Sequence, residues 1–458
     1  MHSAVQTRAI AHRQAVAAYV GPGSGAESEP SAGDEAHTSA RDNFTSPEVT
    51  LGKRCHGAHL ETLKLDITPV ASHYQLIHYD VPCDLDAATH KLRVFGLVGA
   101  PAELSMAQLR ALPHVSVPVV LECAGQGRVL MTRRLWQHVP WGVDAFGCAR
   151  WTGCSLADVL RAAAPTAAAR QVVFTGADLG VQEDKVQHFE RALSLEDALE
   201  LDAILAYEMN GAELTRAHGY PLRLIVPGWY GMASVKWLTS IELTDGSWTG
   251  LQMEAYAYAR RAHDATLVPV QYLNVRALMV PPGAPDFFTR TRVVKPGTCR
   301  VEGKAWGGVF RVVKVEFSTD GSATWRPAVL NAEPNGPHGW QSWQFDWDAM
   351  VGSHVLSCRA IDASGAVQDA LSDAQYNFNA MASTQPQQVY VRVVADAEVP
   401  GTHVDLAQEL NAVQTVEKRG ARLGAHRAHV ETRLRGAAAR APLCASGAAA
   451  LFKTPGSQ

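Results

Sequence analysis

The eight cysteines of this chain include no C-x-x-C pair, so a tetrahedral zinc site, a redox dithiol and a c-type haem attachment have no local support. A disulfide framework is unneeded in a chain long enough to bury a core without staples. No apolar run reaches about 18 residues, which excludes an ordinary transmembrane helix. Excess positive charge is missing too. Lys and Arg total 41 against 45 Asp and Glu, a formal charge of -4, and no overall field draws the protein to nucleic acid or anionic membrane. The first twenty residues have no apolar core of a secretory signal. They carry Arg8 and Arg13 and no acid, a weak match to an amphipathic transit peptide. The expected compartment is the cytoplasm, with organellar targeting left open.

What the chain does have is length and large apolar side chains: 458 residues, 47% hydrophobic, 11 of them Trp. At roughly 150 residues per domain this predicts about two to three domains. Residues 1–55 are rich in Gly, Ser, Ala and Glu, with little apolar periodicity, and are expected to lie outside the folded body. Gly21, Gly23 and Gly25 follow no strand and read as linker rather than as a phosphate loop.

Residues 56–272 alternate short strands and helices. Leu92–Val98, Val117–Leu121, Gln171–Thr175, Leu222–Val226 and Ser240–Leu243 read as strands, and Pro118 marks an edge. Ser105, Ser155 and Ser194 read as helix caps. Together these predict a mixed α+β layer. Residues 273–395 show strands only: Cys299–Trp306, a hairpin turning at Asp320-Gly321, Trp340–Trp347 and His354–Ile361. That spacing predicts a β-sandwich. Residues 396–458 read as a poorly ordered tail with a basic, Ala-rich stretch at 418–440.

Two segments could do chemistry. In the first, Leu121-Glu122-Cys123-Ala124-Gly125-Gln126-Gly127-Arg128, a thiol ends an apolar strand beside two glycines and a fixed cation. A nearby cation favours the thiolate, which is a nucleophile or a soft ligand for a transition metal. The segment also fits a buried structural cysteine. In the second, His218, Arg223 and Lys236 stand at glycine-containing turns flanking strands. Arg forks, a Lys point charge and turn N–H groups are the donors a phosphorylated cofactor needs.

The stretches CAGQGR, ARWTGCSLADVL, LAYEMNG, HGYPLRLIVPG and SVKW resemble the molybdenum-cofactor domain of sulfite oxidases and their bacterial relatives. The later stretches ALMVPPG and FSTDGSATW, with the Trp-rich strand, resemble that family's immunoglobulin-like dimerisation domain. The resemblance implies a molybdopterin-dependent oxidoreductase moving an oxygen atom and two electrons at a small sulfur substrate. Sulfite oxidation to sulfate is the first candidate, and sulfoxide reduction runs the transfer the other way. It also implies a homodimer.

By that resemblance Cys123 is the thiolate ligand to molybdenum, His78 and Asp178 lie at the pterin, and His218 and Arg223 hold its phosphate. Ser234, Val235 and Lys236 close the site, Tyr256 stands beside the reacting centre, Arg128 faces the anion, and Trp141 lines the pocket. No haem-carrying segment is evident, so electrons are expected to leave to a separate acceptor. Two departures bear on the substrate. Leu76 and Ile77 stand where the family has arginine and asparagine, and Gly127 stands in place of a further arginine. Two readings outside the family remain: a hydrolase or transferase with Cys123 as nucleophile and His78 or His218 as base, and a cofactor-free binding module.

Overall fold

The structure is a computed structural model describing residues 3–20, 37–38, 46–131, 134–135, 138–258, 268–332, 335–369, 377 and 379–395. The expected linker at Gly21–Gly25 and the tail at 396–458 lie outside the described residues.

Two sheets build the first part of the chain. One runs Lys185–Ser194, Gln171–Gln182, Leu238–Thr244, Lys91–Gly96, Ala102–Ser105. It is antiparallel except where Leu238–Thr244 meets Lys91–Gly96. The other runs Ala212–Glu213, Ile204–Met209, Phe146–Ser155, His114–Glu122, with Arg223–Ile225 also pairing Ile204–Met209. His114–Glu122 is terminal in this order, which suits Pro118, since proline cannot donate to a ladder.

The three expected caps are present. Ser105, Ser155 and Ser194 each accept the N–H three residues on and open Met106–Ala111, Leu156–Ala163 and Leu195–Glu200. Each bond satisfies one of the helix's orphan donors.

The second part is a sandwich. A four-stranded sheet contains Arg276–Met279, Gly297–Trp306, Gln341–Ala349 and Val329–Leu330. The facing six-stranded sheet is built on Val312–Ser318, Gly352–Asp362 and Gln387–Val393. Its last strand alternates buried and exposed at every residue, the period-two signature of a sheet with one face on the core. Val301, Val315, Phe317, Trp343, Trp347 and Leu356 pack between the sheets.

The tryptophans divide between two cores. Trp343 and Trp347 fill the sandwich, whereas Trp306 and Trp340 turn out of it to join Phe146 of the first part. Their ring centroids lie 5.7 and 6.3 Å from that of Phe146.

The first twenty residues correct the expectation of a segment outside the folded body. Ala4–Val20 is a helix with Ala9 fully buried. Arg8 pairs with Glu196, Asp197 and Glu200, and Arg13 pairs with buried Asp362. His12 Nε2 lies 2.6 Å from the Pro269 carbonyl. The helix thus touches both halves of the chain. Val5, Ala9, Ile10 and Val16 pack on the main core, and the basic side chains that meet distant acids add contacts that periodicity does not show.

Candidate active site

Cys123 follows directly on the strand His114–Glu122, and the chain then turns back on itself. Gln126 N donates to Cys123 O at 3.0 Å and Arg128 N to Gly125 O at 3.0 Å. Gly125 N donates to Cys123 Sγ at 3.4 Å. The glycines have separate reasons. Gly127 has φ +76°, and a Cβ on Gly125 would come within 2.8–2.9 Å of the Arg128 guanidinium. That guanidinium is buried and pinned by two carbonyls, Nε on Ala380 O at 3.0 Å and Nη1 on Val139 O at 2.7 Å. Burial pushes the Cys123 thiol up, and Arg128 and the Gly125 N–H oppose it.

Cys123 stands between two cavities. The inner one, about 640 Å³, is lined by His78, Asp178, His218, Arg223, Ser234, Lys236 and Tyr256 among others. The outer one shares Leu76, His78, Cys123 and Tyr256 with it and adds Arg54, Arg128, His138 and Trp141. Of the residues expected at the site, only Val235 lines neither cavity. It is buried in the core, its N–H bonded to Ala233 O and its carbonyl to Leu224 N.

The inner cavity is cationic and held from several elements. Arg223 begins the strand Arg223–Ile225. Its Nη1 donates to His218 O at 2.9 Å and its Nη2 to Ser234 O at 3.2 Å. Lys236 Nζ donates to Leu76 O and Ala217 O at 2.9 and 3.0 Å. Gly219, φ +106°, lets the two cations approach, since a Cβ there would meet the Arg223 and Lys236 Cβ atoms at 3.0 and 3.1 Å. Burial pushes Arg223 down to about 10, and burial followed by Arg223 pushes Lys236 down to about 7. Burial, with His73, Arg223 and Lys236 adding to it, pushes His218 down to about 2. Burial pushes Asp178 up to about 6, opposed by Lys236.

Beside Cys123, His78 Nε2 and Tyr256 Oη share a hydrogen bond of 2.6 Å. Burial and the cations Lys236, Arg54 and Arg191 push His78 down to about 3, while burial raises the Tyr256 phenol. Sequence reasoning missed His73, Arg54, His138 and Arg191. Each stands in a segment with no chemical motif and reaches the site only through the tertiary fold.

Donors and acceptors left over in the inner cavity show what it can take. Arg223 Nε, His73 Nε2 and Asp178 Oδ1 are buried with no hydrogen-bond partner among the described residues. Neither Arg223 nor Lys236 has a carboxylate in ion-pair contact among them. Unpaired buried cations are costly, and a phosphate relieves that cost. Among the described residues no group of three or more His, Cys, Asp or Glu side chains could hold a metal. A metal at Cys123 would find that thiolate as its ligand among the described residues, and its other ligands would come from a cofactor. These features fit a molybdenum-pterin cofactor.

A mixed α+β domain with a buried cysteine beside a cationic cavity, followed by a β-sandwich, is the arrangement expected of a molybdenum-cofactor oxidoreductase. Residues 78–252 match the oxidoreductase molybdopterin-binding domain, and residues 268–394 match the Mo-co oxidoreductase dimerisation domain. The chain belongs to the sulfite oxidase family of molybdopterin-dependent oxidoreductases, and its cofactor is molybdenum-molybdopterin. It is 34% identical over 340 residues to the sulfite oxidase of Gallus gallus, covering 69% of this chain and 71% of the relative. It is 30% identical over 350 residues to that of Arabidopsis thaliana, covering 71% and 88%. The sulfane dehydrogenase SoxCD from Paracoccus pantotrophus shares the fold, with a TM-score of 0.63 at 20% identity over 80% of this chain and 92% of that one.

Proposed function

We propose that the protein oxidises a small sulfur compound by oxygen-atom transfer, with sulfite to sulfate as the first candidate. The observation that carries this reading is the place of Cys123, in the wall shared by a cationic inner cavity and an outer cavity. Cys123 would bind the metal as thiolate. His218, Arg223 and Lys236 would hold the phosphate, Asp178 and His78 would flank the pterin, and Ser234, its Oγ taken by Val226 N at 3.1 Å, would keep the turn before Lys236 in place. Val235 supports that turn from the core. When bound, the cofactor supplies a two-electron centre able to exchange an oxygen atom with sulfur.

The protein's own groups set the conditions around it. The raised Tyr256 phenol keeps its proton at neutral pH and presents a hydroxyl held in place by neutral His78. Arg128 supplies a fixed positive charge to an anionic substrate from the outer cavity, and Trp141 gives that cavity an apolar wall. Electrons leave to a separate acceptor, and the residues matching the dimerisation domain pair two copies of the chain. A cysteine-nucleophile hydrolase fits less well. It needs a base that takes up a proton near neutral pH, whereas His78 and His218 are pushed to about 3 and 2.

The test is expression in a host that makes the cofactor, followed by molybdenum analysis and a sulfite:ferricyanide assay. Molybdenum bound with sulfite-dependent reduction supports the reading. A molybdenum-loaded protein inert to every sulfur donor contradicts it.

A further inference from the structure

We propose that the preferred substrate is an organic sulfinate, R–SO2⁻ with an apolar R group, rather than inorganic sulfite. This rests on the sulfur-oxidation reading above and names the substrate class of the same site.

The outer cavity carries the argument. Among the described residues its charged lining is Arg54, Arg128, Asp80 and Glu183. Arg54, Asp80 and Glu183 are exposed, and Arg128 is the buried charge. One buried cation among the described residues, with a rim of balanced charge, suits a monoanion better than a dianion, whose second charge would be desolvated without a partner among them. The lining is also partly apolar, with Leu76, Ile77, Val139, Trp141 and Met381 around the site and Leu179 at 51% exposure on the rim. Apolar walls facing a water-accessible space gain by covering, at about 25 cal/mol per Å² of apolar surface.

A sulfinate meets both conditions. Replacing one oxygen of sulfite by carbon removes one negative charge and adds a substituent, while the sulfur keeps its lone pair and two oxygens. Arg128 supplies the counter-charge. His138 Nε2, buried and without a hydrogen-bond partner among the described residues, supplies a donor for one oxygen when that nitrogen carries the ring proton. The substituent lies along Leu76, Ile77 and Trp141.

The net reaction is R–SO2⁻ + H2O → R–SO3⁻ + 2H⁺ + 2e⁻. A sulfur–oxygen bond forms at the sulfur lone pair, sulfur is oxidised, and water supplies the oxygen overall. The protons go to solvent and the electrons to a one-electron acceptor, for which ferricyanide is the probe, two ions being reduced per turnover.

The experiment compares benzenesulfinate, methanesulfinate and sulfite with ferricyanide on the molybdenum-loaded protein. The expected kcat/KM for benzenesulfinate exceeds that for each of the others by about tenfold or more, since covering a phenyl ring on apolar walls is the difference. Leu76→Arg, which adds a cation and removes apolar wall, narrows or inverts that ratio. Calorimetry on the unsubstituted protein gives a reading that does not depend on the variant: benzenesulfonate binds about tenfold or more tightly than sulfate. If sulfite is oxidised while benzenesulfinate is neither oxidised nor competes, the sulfinate proposal falls and the sulfur-oxidation reading stands. If the loaded protein oxidises none of the three, that reading falls and takes this one with it.

Discussion

Glu122, the residue immediately before Cys123, accepts a hydrogen bond from Arg276 Nε at 2.9 Å, and both side chains are almost completely buried. Its other oxygen accepts from Trp306 Nε1 at 2.7 Å, and Arg276 Nη2 donates to Ser383 O at 2.6 Å. Arg276 and Trp306 belong to the sandwich. The turn that carries the thiol is therefore fastened to the second half of the chain, and the residues matching the dimerisation domain help to place the site.

Arg276→Met should destabilise the fold by about 3–5 kcal/mol, because it strands the Glu122 carboxylate in an apolar interior. Thermal unfolding reads this as a lowered midpoint. An unchanged midpoint would show that the pair is not needed to hold the seam.

Cys123→Ser should abolish turnover while the protein folds and retains the organic pterin. A hydroxyl replaces a soft thiolate poorly, whereas the contacts of Arg223 and Lys236 are untouched. Pterin fluorescence after denaturation and elemental analysis measure the two parts separately. Turnover at the unsubstituted rate, with molybdenum bound, would remove Cys123 from its role.

Arg128→Met should raise KM for an anionic substrate far more than it raises the inhibition constant of a neutral aryl sulfoxide. Losing a buried charge-assisted contact costs about 1.5–3 kcal/mol, roughly one to two decades. Equal losses would mean that Arg128 acts through the protein groups it holds, the Val139 and Ala380 carbonyls among them.

Lys236 gives a pH dependence with a definite sign. In the cofactor-free protein it is pushed down to about 7 by burial and then by Arg223, so it is neutral above that pH. A bound phosphate restores the charge, and binding then takes up a proton. Affinity of the cofactor-free protein for pyrophosphate should fall above pH 7, by up to about tenfold per pH unit. Between pH 7 and the ordinary lysine value the unfolded chain binds the extra proton, so the Lys236 contribution to stability rises with pH over that window. Lys236→Met should remove both slopes, as titration calorimetry and melts across pH would show.

What was legible in the sequence is what local physics settles. The caps at Ser105, Ser155 and Ser194 are bonds spanning three residues, and the Cys123–Arg128 turn announces itself through its glycines. The strand Gln387–Val393, by contrast, lies beyond the strands recognised from the sequence, although its alternation is strict. The N-terminal helix was not legible, because Arg8 and Arg13 meet partners about 190 and 350 residues away and no local pattern encodes such pairings. Arg54, His73 and His138 are single polar residues without a motif, converted into cavity lining only by folding. Val235 stands between two cavity residues in the chain, and its side chain packs in the core.

The central claim is that Cys123 and the cationic inner cavity hold a molybdenum cofactor. Elemental analysis of the protein purified from a cofactor-making host tests it most directly, beside Cys123→Ser prepared in the same way. The account predicts stoichiometric molybdenum in the unsubstituted protein, and no turnover in the variant whatever metal its pterin retains. Absence of molybdenum from the unsubstituted protein, in a host whose own molybdenum enzymes are loaded, would contradict it.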